Sequence, residues 1–173
     1  MIATFLQDDL KADLEETFKH FFLKDPQGKL VNPNIFKQNL PIPVAAEMPE
    51  TVTDEELEEG IYDAIAKEDP YPYIIVRVEQ GKIEGIDQEQ TVFVNLIIGV
   101  IDRGYENQGH KDVLNIIQKI YERFAKNAIL AKKYECTMPI EWALQDEESF
   151  PYFFGGMALQ FETIRIRRED PYA

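Results

Sequence analysis

The sequence has little of what metal sites and disulfide-stabilised folds are built from. Its 173 residues contain one cysteine, two histidines and one tryptophan. A single cysteine cannot form an intramolecular disulfide, and such sparing use of cysteine is typical of a reducing compartment. No apolar run approaches the roughly 20 residues that span a bilayer, and the N-terminus lacks the basic start and cleavage site of a signal peptide. We therefore expect a cytoplasmic protein.

Basic residues are also scarce. Eighteen Lys and Arg stand against 32 Asp and Glu, for a formal net charge of -14. Such a surface repels phosphates, so specific DNA or RNA binding is disfavoured. The charge alone leaves two roles open. One is a protein that surrounds DNA without binding it tightly, and the other is an acidic inhibitor that mimics DNA and binds a basic host protein.

The residues that carry chemistry in other proteins are isolated here. His20 and Glu16 share a helix face, but two ligands without further neighbours make a weak metal site. His110 stands at a predicted helix start, where a solvated or capping role is expected. Cys136 lies in a strand-like alternation with no placed base, which favours a buried side chain over a nucleophile. We therefore expect no catalytic, cofactor-binding or metal-binding residues and a protein that is not an enzyme, with an unrecognised acidic active site as a third possibility.

The periodicity predicts an α+β fold in a single domain, residues 1–173. Apolar residues at three- and four-residue steps predict an N-terminal helix within residues 1–24. Prolines and carboxylates predict a proline-rich acidic arm and a short helix in residues 25–69. Residues 70–168 predict a β-β-α-β-β core. The expected sheet is four-stranded and mostly antiparallel, with a long helix packed on one face.

Aromatic residues are concentrated in two proline-led segments, PYPY at 70–73 and FPYFFGGM at 150–157. Neighbouring residues of an extended chain point to opposite faces, so the aromatic residues of the second segment cannot all face one interior. Burial within the monomer, a subunit contact and a ligand pocket stay open for it. Trp142 and the aromatic residues of the first helix are expected in the core.

Several motifs follow one another in a fixed order. They are Tyr71-Pro72-Tyr73, Gly99-Val100, Asn107-Gln108-Gly109, Pro139 with Trp142, and Phe150-Pro151-Tyr152-Phe153 with Gly155. In this order and spacing the sequence resembles the tail terminator (tail completion) proteins of long-tailed bacteriophages and prophages. Phe150 departs from the tyrosine expected at its position, and the arm at 29–59 has no match.

The resemblance implies a small structural subunit that assembles as a ring, typically a hexamer. The ring caps the finished tail tube, stops its polymerisation and offers the head-tail connector or stopper protein a docking surface. DNA passes through without specific binding, and the subunit occurs in the bacterial cytoplasm during assembly and then in the virion tail. We expect contacts from both aromatic segments and from the arm, at Tyr71, Tyr73, Phe150, Tyr152, Phe153, Phe154, Leu40, Ile42 and Val44.

Overall fold

The fold was taken from a computed structural model, which describes residues 2–41, 70–85 and 88–163. Over these residues the chain is α+β, with two helices, a six-stranded mixed sheet and a two-stranded sheet. The helices are α1 (Ile2–Phe18) and α2 (His110–Lys126). The strands are β1 (Leu23–Lys24), β2 (Leu30–Val31), β3 (Asn34–Lys37), β4 (Tyr73–Ile83), β5 (Gln90–Ile101), β6 (Ile129–Leu130), β7 (Tyr134–Leu144) and β8 (Tyr152–Glu162).

The main sheet has the strand order β3-β4-β5-β8-β7-β6, and β1 and β2 form the small sheet. Strand β3 runs parallel to β4, while the other neighbouring strands are antiparallel. The apolar strand β5 lies between β4 and β8 and pairs with both along its length. This central place explains why its second half is apolar on both faces.

The predicted four-stranded, mostly antiparallel sheet is wrong, because the sheet is mixed and has two further strands. Strand β3 is only four residues long, too short for an alternation to stand out between prolines, and its partner β4 is distant in sequence. Strand β6 has only two residues. Strand β7 runs through Pro139 as one strand, with a register shift between Thr137 and Glu141.

Both helices pack on one face of the main sheet, so the predicted long helix does not cover it alone. Helix α1 buries four residues at three- and four-residue spacing: Leu6, Leu10, Leu14 and Phe18. Helix α2 buries Val113, Ile116, Ile117, Ile120 and Phe124. These side chains form one core with the even-numbered residues of β5. Each fully buried side chain of this size contributes about 1.5–3 kcal/mol.

The expectation that Trp142 lies in the core is wrong, and the same expectation for the first helix is confirmed for Phe18 but wrong for Phe5 and Phe22. Trp142 is 56% exposed, because β7 lies near the sheet edge and β6 covers only its first residues. Phe5 and Phe22 are also exposed, since Phe5 lies off the buried stripe of α1 and Phe22 follows the end of the helix.

Three predictions lie outside the described residues. They are the short helix of the 25–69 segment, the continuation of the last strand towards residue 168, and the placement of Ile42 and Val44.

Candidate functional site

The two proline-led aromatic segments meet at one end of the main sheet, on the face opposite the helices. The Tyr71 ring lies 4.9 Å from the Tyr73 ring, 4.9 Å from the Tyr152 ring and 6.1 Å from the Phe154 ring, measured between centroids. These are ordinary distances for interacting aromatic pairs. We call Tyr71, Tyr73, Tyr152 and Phe154 the aromatic corner. Tyr73 is buried and the other three are half-buried.

Gly99 makes room for the aromatic corner. It is the cross-strand partner of Tyr73 on one side and of Phe154 on the other. A Cβ atom at Gly99 would lie 2.5 Å from Cζ of Tyr73, so only glycine lets that ring lie across β5. The glycine is therefore part of the site.

Phe153 points to the opposite face of the sheet from its neighbours. It packs against the core near the start of α2, where a Cβ atom at Gly109 would lie 2.4 Å from its ring. Its alternation with Tyr152 and Phe154 follows from the period of a strand. The FPYFFGGM segment is thus divided between the core and the aromatic corner, while its first residue, Phe150, is 50% exposed.

Two acidic loops lie beside the aromatic corner. Residues 102–109 and 145–151 contain five carboxylates and one arginine, and we call these two loops the acidic rim. The loops are linked, because the Asp102 backbone N–H donates to the Pro151 carbonyl at 2.9 Å. The Asn107 side-chain amide also donates to the Glu148 carboxylate at 2.9 Å. Tyr105, within the first loop, is fully exposed.

Burial shifts the pKa of several titratable groups among the described residues. Burial raises the pKa of Asp112, and the neighbouring Asp102 carboxylate adds to that rise. Burial raises the pKa of Cys136 to about 11, so its thiol is protonated at neutral pH. No group of three or more potential metal ligands occurs in the parts of the chain that the structure describes.

The structure brings together some of the predicted contact residues and separates others. Tyr71, Tyr73, Tyr152 and Phe154 form the aromatic corner, and Phe150 lies in the acidic rim. Leu40 is placed elsewhere, just beyond β3 at one edge of the sheet.

Sequence reasoning missed Gly99 and Tyr105 as parts of the site. A signal for Gly99 was present: a glycine inside the apolar run LIIGVI marks a close approach in a strand. Nothing in the sequence distinguishes Tyr105 from a loop tyrosine whose ring is covered by the fold.

Comparison with known proteins finds no family model and no curated protein that matches the chain. Among the described residues, neither helix is long and apolar enough to cross a membrane.

Proposed function

We propose that the chain is the subunit of a phage or prophage tail terminator ring. In this role copies of the chain assemble head to tail, cap the last ring of the tail tube and present a surface to the head-tail connector. The proposal begins from the order of motifs between residues 71 and 157. Its partners are other copies of the chain, the tail-tube protein and the connector.

The observation that carries the proposal is the meeting of the two proline-led segments in the aromatic corner. The segments are far apart in the sequence, yet their rings pack on one another beside the exposed side chains of Tyr105 and Phe150. Tyrosine and phenylalanine are enriched at the centres of protein interfaces, where a few aromatic anchors carry most of the binding energy. An aromatic cluster that is partly exposed and has exposed rings at its border supports a contact with another protein.

The acidic rim supports the second part of the role. Its five carboxylates against one arginine repel the phosphates of DNA. If the rim borders the ring opening, DNA moves past it without being held. The same charge makes neighbouring subunits repel each other at low ionic strength, so assembly is best measured at about 0.15 M salt or above, where the Debye length is about 8 Å.

The test compares aromatic substitutions at the site with one elsewhere. A double variant, Tyr105→Ala with Phe150→Ala, is expected to weaken ring formation or tube capping by at least about tenfold, because truncating interface anchors costs about 2 kcal/mol or more. The control is Phe22→Ala, which is 54% exposed but lies outside the aromatic corner and the acidic rim. Light scattering after gel filtration, with and without isolated tail tubes, measures assembly.

Two outcomes would contradict the proposal. One is a wild-type chain that neither assembles nor binds tube ends. The other is tight, salt-sensitive capture of a basic host protein without ring formation, which would favour the acidic inhibitor instead.

A further inference from the structure

Among the described residues, the outer edge of strand β7 has no partner strand along residues 138–144, which we call the β7 edge. Strand β6 pairs only with Tyr134 and Glu135, and the Cys136 backbone N–H donates to the Ala128 carbonyl at 2.8 Å. Beyond that point, no other strand in the described ranges lies on the outer side of β7. Unpaired strand edges are templates for pairing with another chain.

The register shows which backbone groups of the β7 edge point outward. The Gln145 backbone N–H donates to the Phe154 carbonyl at 3.0 Å, so Gln145 faces β8. Backbone groups of an antiparallel strand point to alternate sides, so every second residue before Gln145 also faces β8. Over the regular stretch of the ladder, residues 141–144, the residues between them point outward: Trp142 and Leu144.

These outward residues also share one side-chain face, the face on which α2 packs. Trp142 is the cross-strand partner of the buried Met157. A groove of about 420 Å³ lies between β7 and α2, with Leu114, Tyr121 and Trp142 among its lining residues. A strand added at the β7 edge would therefore place apolar side chains over this groove.

The sequence contains a segment with the complementary pattern, Leu40-Pro41-Ile42-Pro43-Val44, which we call the arm segment. When such a segment is extended, its three non-proline residues present their backbone groups to one side and their side chains to one face. Its two prolines lack an N–H, so the other side cannot donate to a further strand. The pattern favours a strand that pairs on one side only.

Leu40, the first residue of the arm segment, cannot reach the β7 edge of its own sheet. The Gln38 backbone N–H donates to the Val76 carbonyl on β4 at 2.9 Å, which holds Gln38 at the β3 edge. Four strand steps of about 4.8 Å separate β3 from β7, or about 19 Å. Leu40 is two residues from Gln38, and two residues extend at most about 7 Å. The pairing therefore needs a second copy.

We propose that the arm segment of one copy adds as a strand to the β7 edge of a neighbouring copy. Leu40, Ile42 and Val44 then cover the groove beside Trp142, and their backbone groups pair with the outward groups of β7. The inference rests on the proposed ring and names its subunit contact. The arm segment of each copy binds the β7 edge of the next copy, and its own β7 edge binds the arm segment of the copy before it. This is the head-to-tail contact that a ring requires.

The test removes one backbone N–H on each side of the contact in the full-length chain. Ile42→Pro removes the central donor of the arm segment, and its control Ile42→Val keeps that donor. Trp142→Pro removes an outward donor of β7 without breaking the β8 ladder, a position where an edge strand tolerates proline. Its control Trp142→Val loses the same ring but keeps the donor.

We expect each proline variant to associate at least about tenfold more weakly than its valine control, by light scattering at matched concentrations. A mixture of the two proline variants is expected to form a one-to-one complex and no ring. In that complex the intact arm segment of the Trp142→Pro copy meets the intact edge of the Ile42→Pro copy.

The outcomes separate this inference from the proposed function. Rings of unchanged stability with Ile42→Pro, a mixture that stays monomeric, or a symmetric dimer that ignores the arm segment would overturn the inference and leave the ring standing. A wild-type chain that stays monomeric in solution and on tube ends would overturn both. Circular dichroism shows whether each variant is folded. If Trp142→Pro unfolds, the comparison of Ile42→Pro with Ile42→Val still tests the inference.

Discussion

Replacing Gly99 with alanine would make a methyl group clash with the ring of Tyr73. The added Cβ would lie 2.5 Å from Cζ and 2.6 Å from Cε1 of that ring, about 1 Å closer than carbon atoms pack. Tyr73 is 5% exposed and packs on Tyr71, so its ring cannot swing into solvent without disrupting the aromatic corner. Overpacking of this kind costs about 1–3 kcal/mol. Removing a glycine from a strand returns about 0.5–1 kcal/mol, so we expect a net loss of about 1–2 kcal/mol.

Gly156 is the matched control, because it lies on the same face of the neighbouring strand β8. A Cβ atom there would meet nothing closer than the Leu96 carbonyl oxygen at 3.7 Å, so Gly156→Ala is expected to be neutral or slightly stabilising. The two variants should differ by about 2 kcal/mol in the free energy of unfolding, or about 1 M in urea midpoint. In a Tyr73→Ala background the Gly99→Ala cost should disappear. Equal stability of the two glycine variants would show that the ring of Tyr73 does not require glycine at position 99.

Three further predictions concern stability and reactivity. Arg123→Ala should lower the free energy of unfolding by roughly 2–3 kcal/mol in urea denaturation, since its guanidinium lies 2.7 Å from the Asp13 carboxylate and joins α1 to α2. The Cys136 thiol, whose pKa burial raises to about 11, should resist Ellman's reagent at pH 8 until the chain unfolds. Burial and the Asp102 carboxylate raise the pKa of Asp112, so protonation favours the folded state. Asp112→Asn should therefore stabilise the protein at pH 7, by a margin that shrinks as pH falls through the raised pKa towards about 3.9.

Each of these has a control. Lys126→Ala removes only an exposed ion pair to Glu122 at 3.7 Å and should change stability by less than about 0.5 kcal/mol. If Arg123→Ala lowers the free energy of unfolding no more than Lys126→Ala does, the contact with Asp13 does not stabilise the fold. Equal labelling of Cys136 in folded and unfolded protein would contradict its burial, and a pH-independent gain from Asp112→Asn would rule out the buried charge as its cause.

The helices and the central strands could be predicted because their signals are local. The apolar residues of α2 recur with a period of about 3.6 residues, and Val113, Ile117, Ile120 and Phe124 are buried accordingly. The apolar run VFVNLIIGVI lies within the central strand β5. Strand β3 could not be predicted, since its place in the sheet comes from parallel pairing with β4 and not from its own four residues.

The candidate site was only partly predictable for the same reason. The sequence marks Tyr71, Tyr73, Tyr152 and Phe154 as unusual, but their meeting depends on the register that sets both β4 and β8 against Gly99. Trp142 was expected in the core because large aromatic residues usually are. Its exposure follows from the shortness of β6, a property of another segment of the chain.

The proposed tail terminator role requires that the gene lies in a phage or prophage and that its loss changes tail length. When the gene is deleted, electron microscopy of lysates is predicted to show tail tubes of irregular and excessive length that are not joined to heads. Supplying the wild-type chain in trans should restore uniform tails. Tails of normal, uniform length attached to heads in the deletion strain would contradict the tail terminator role.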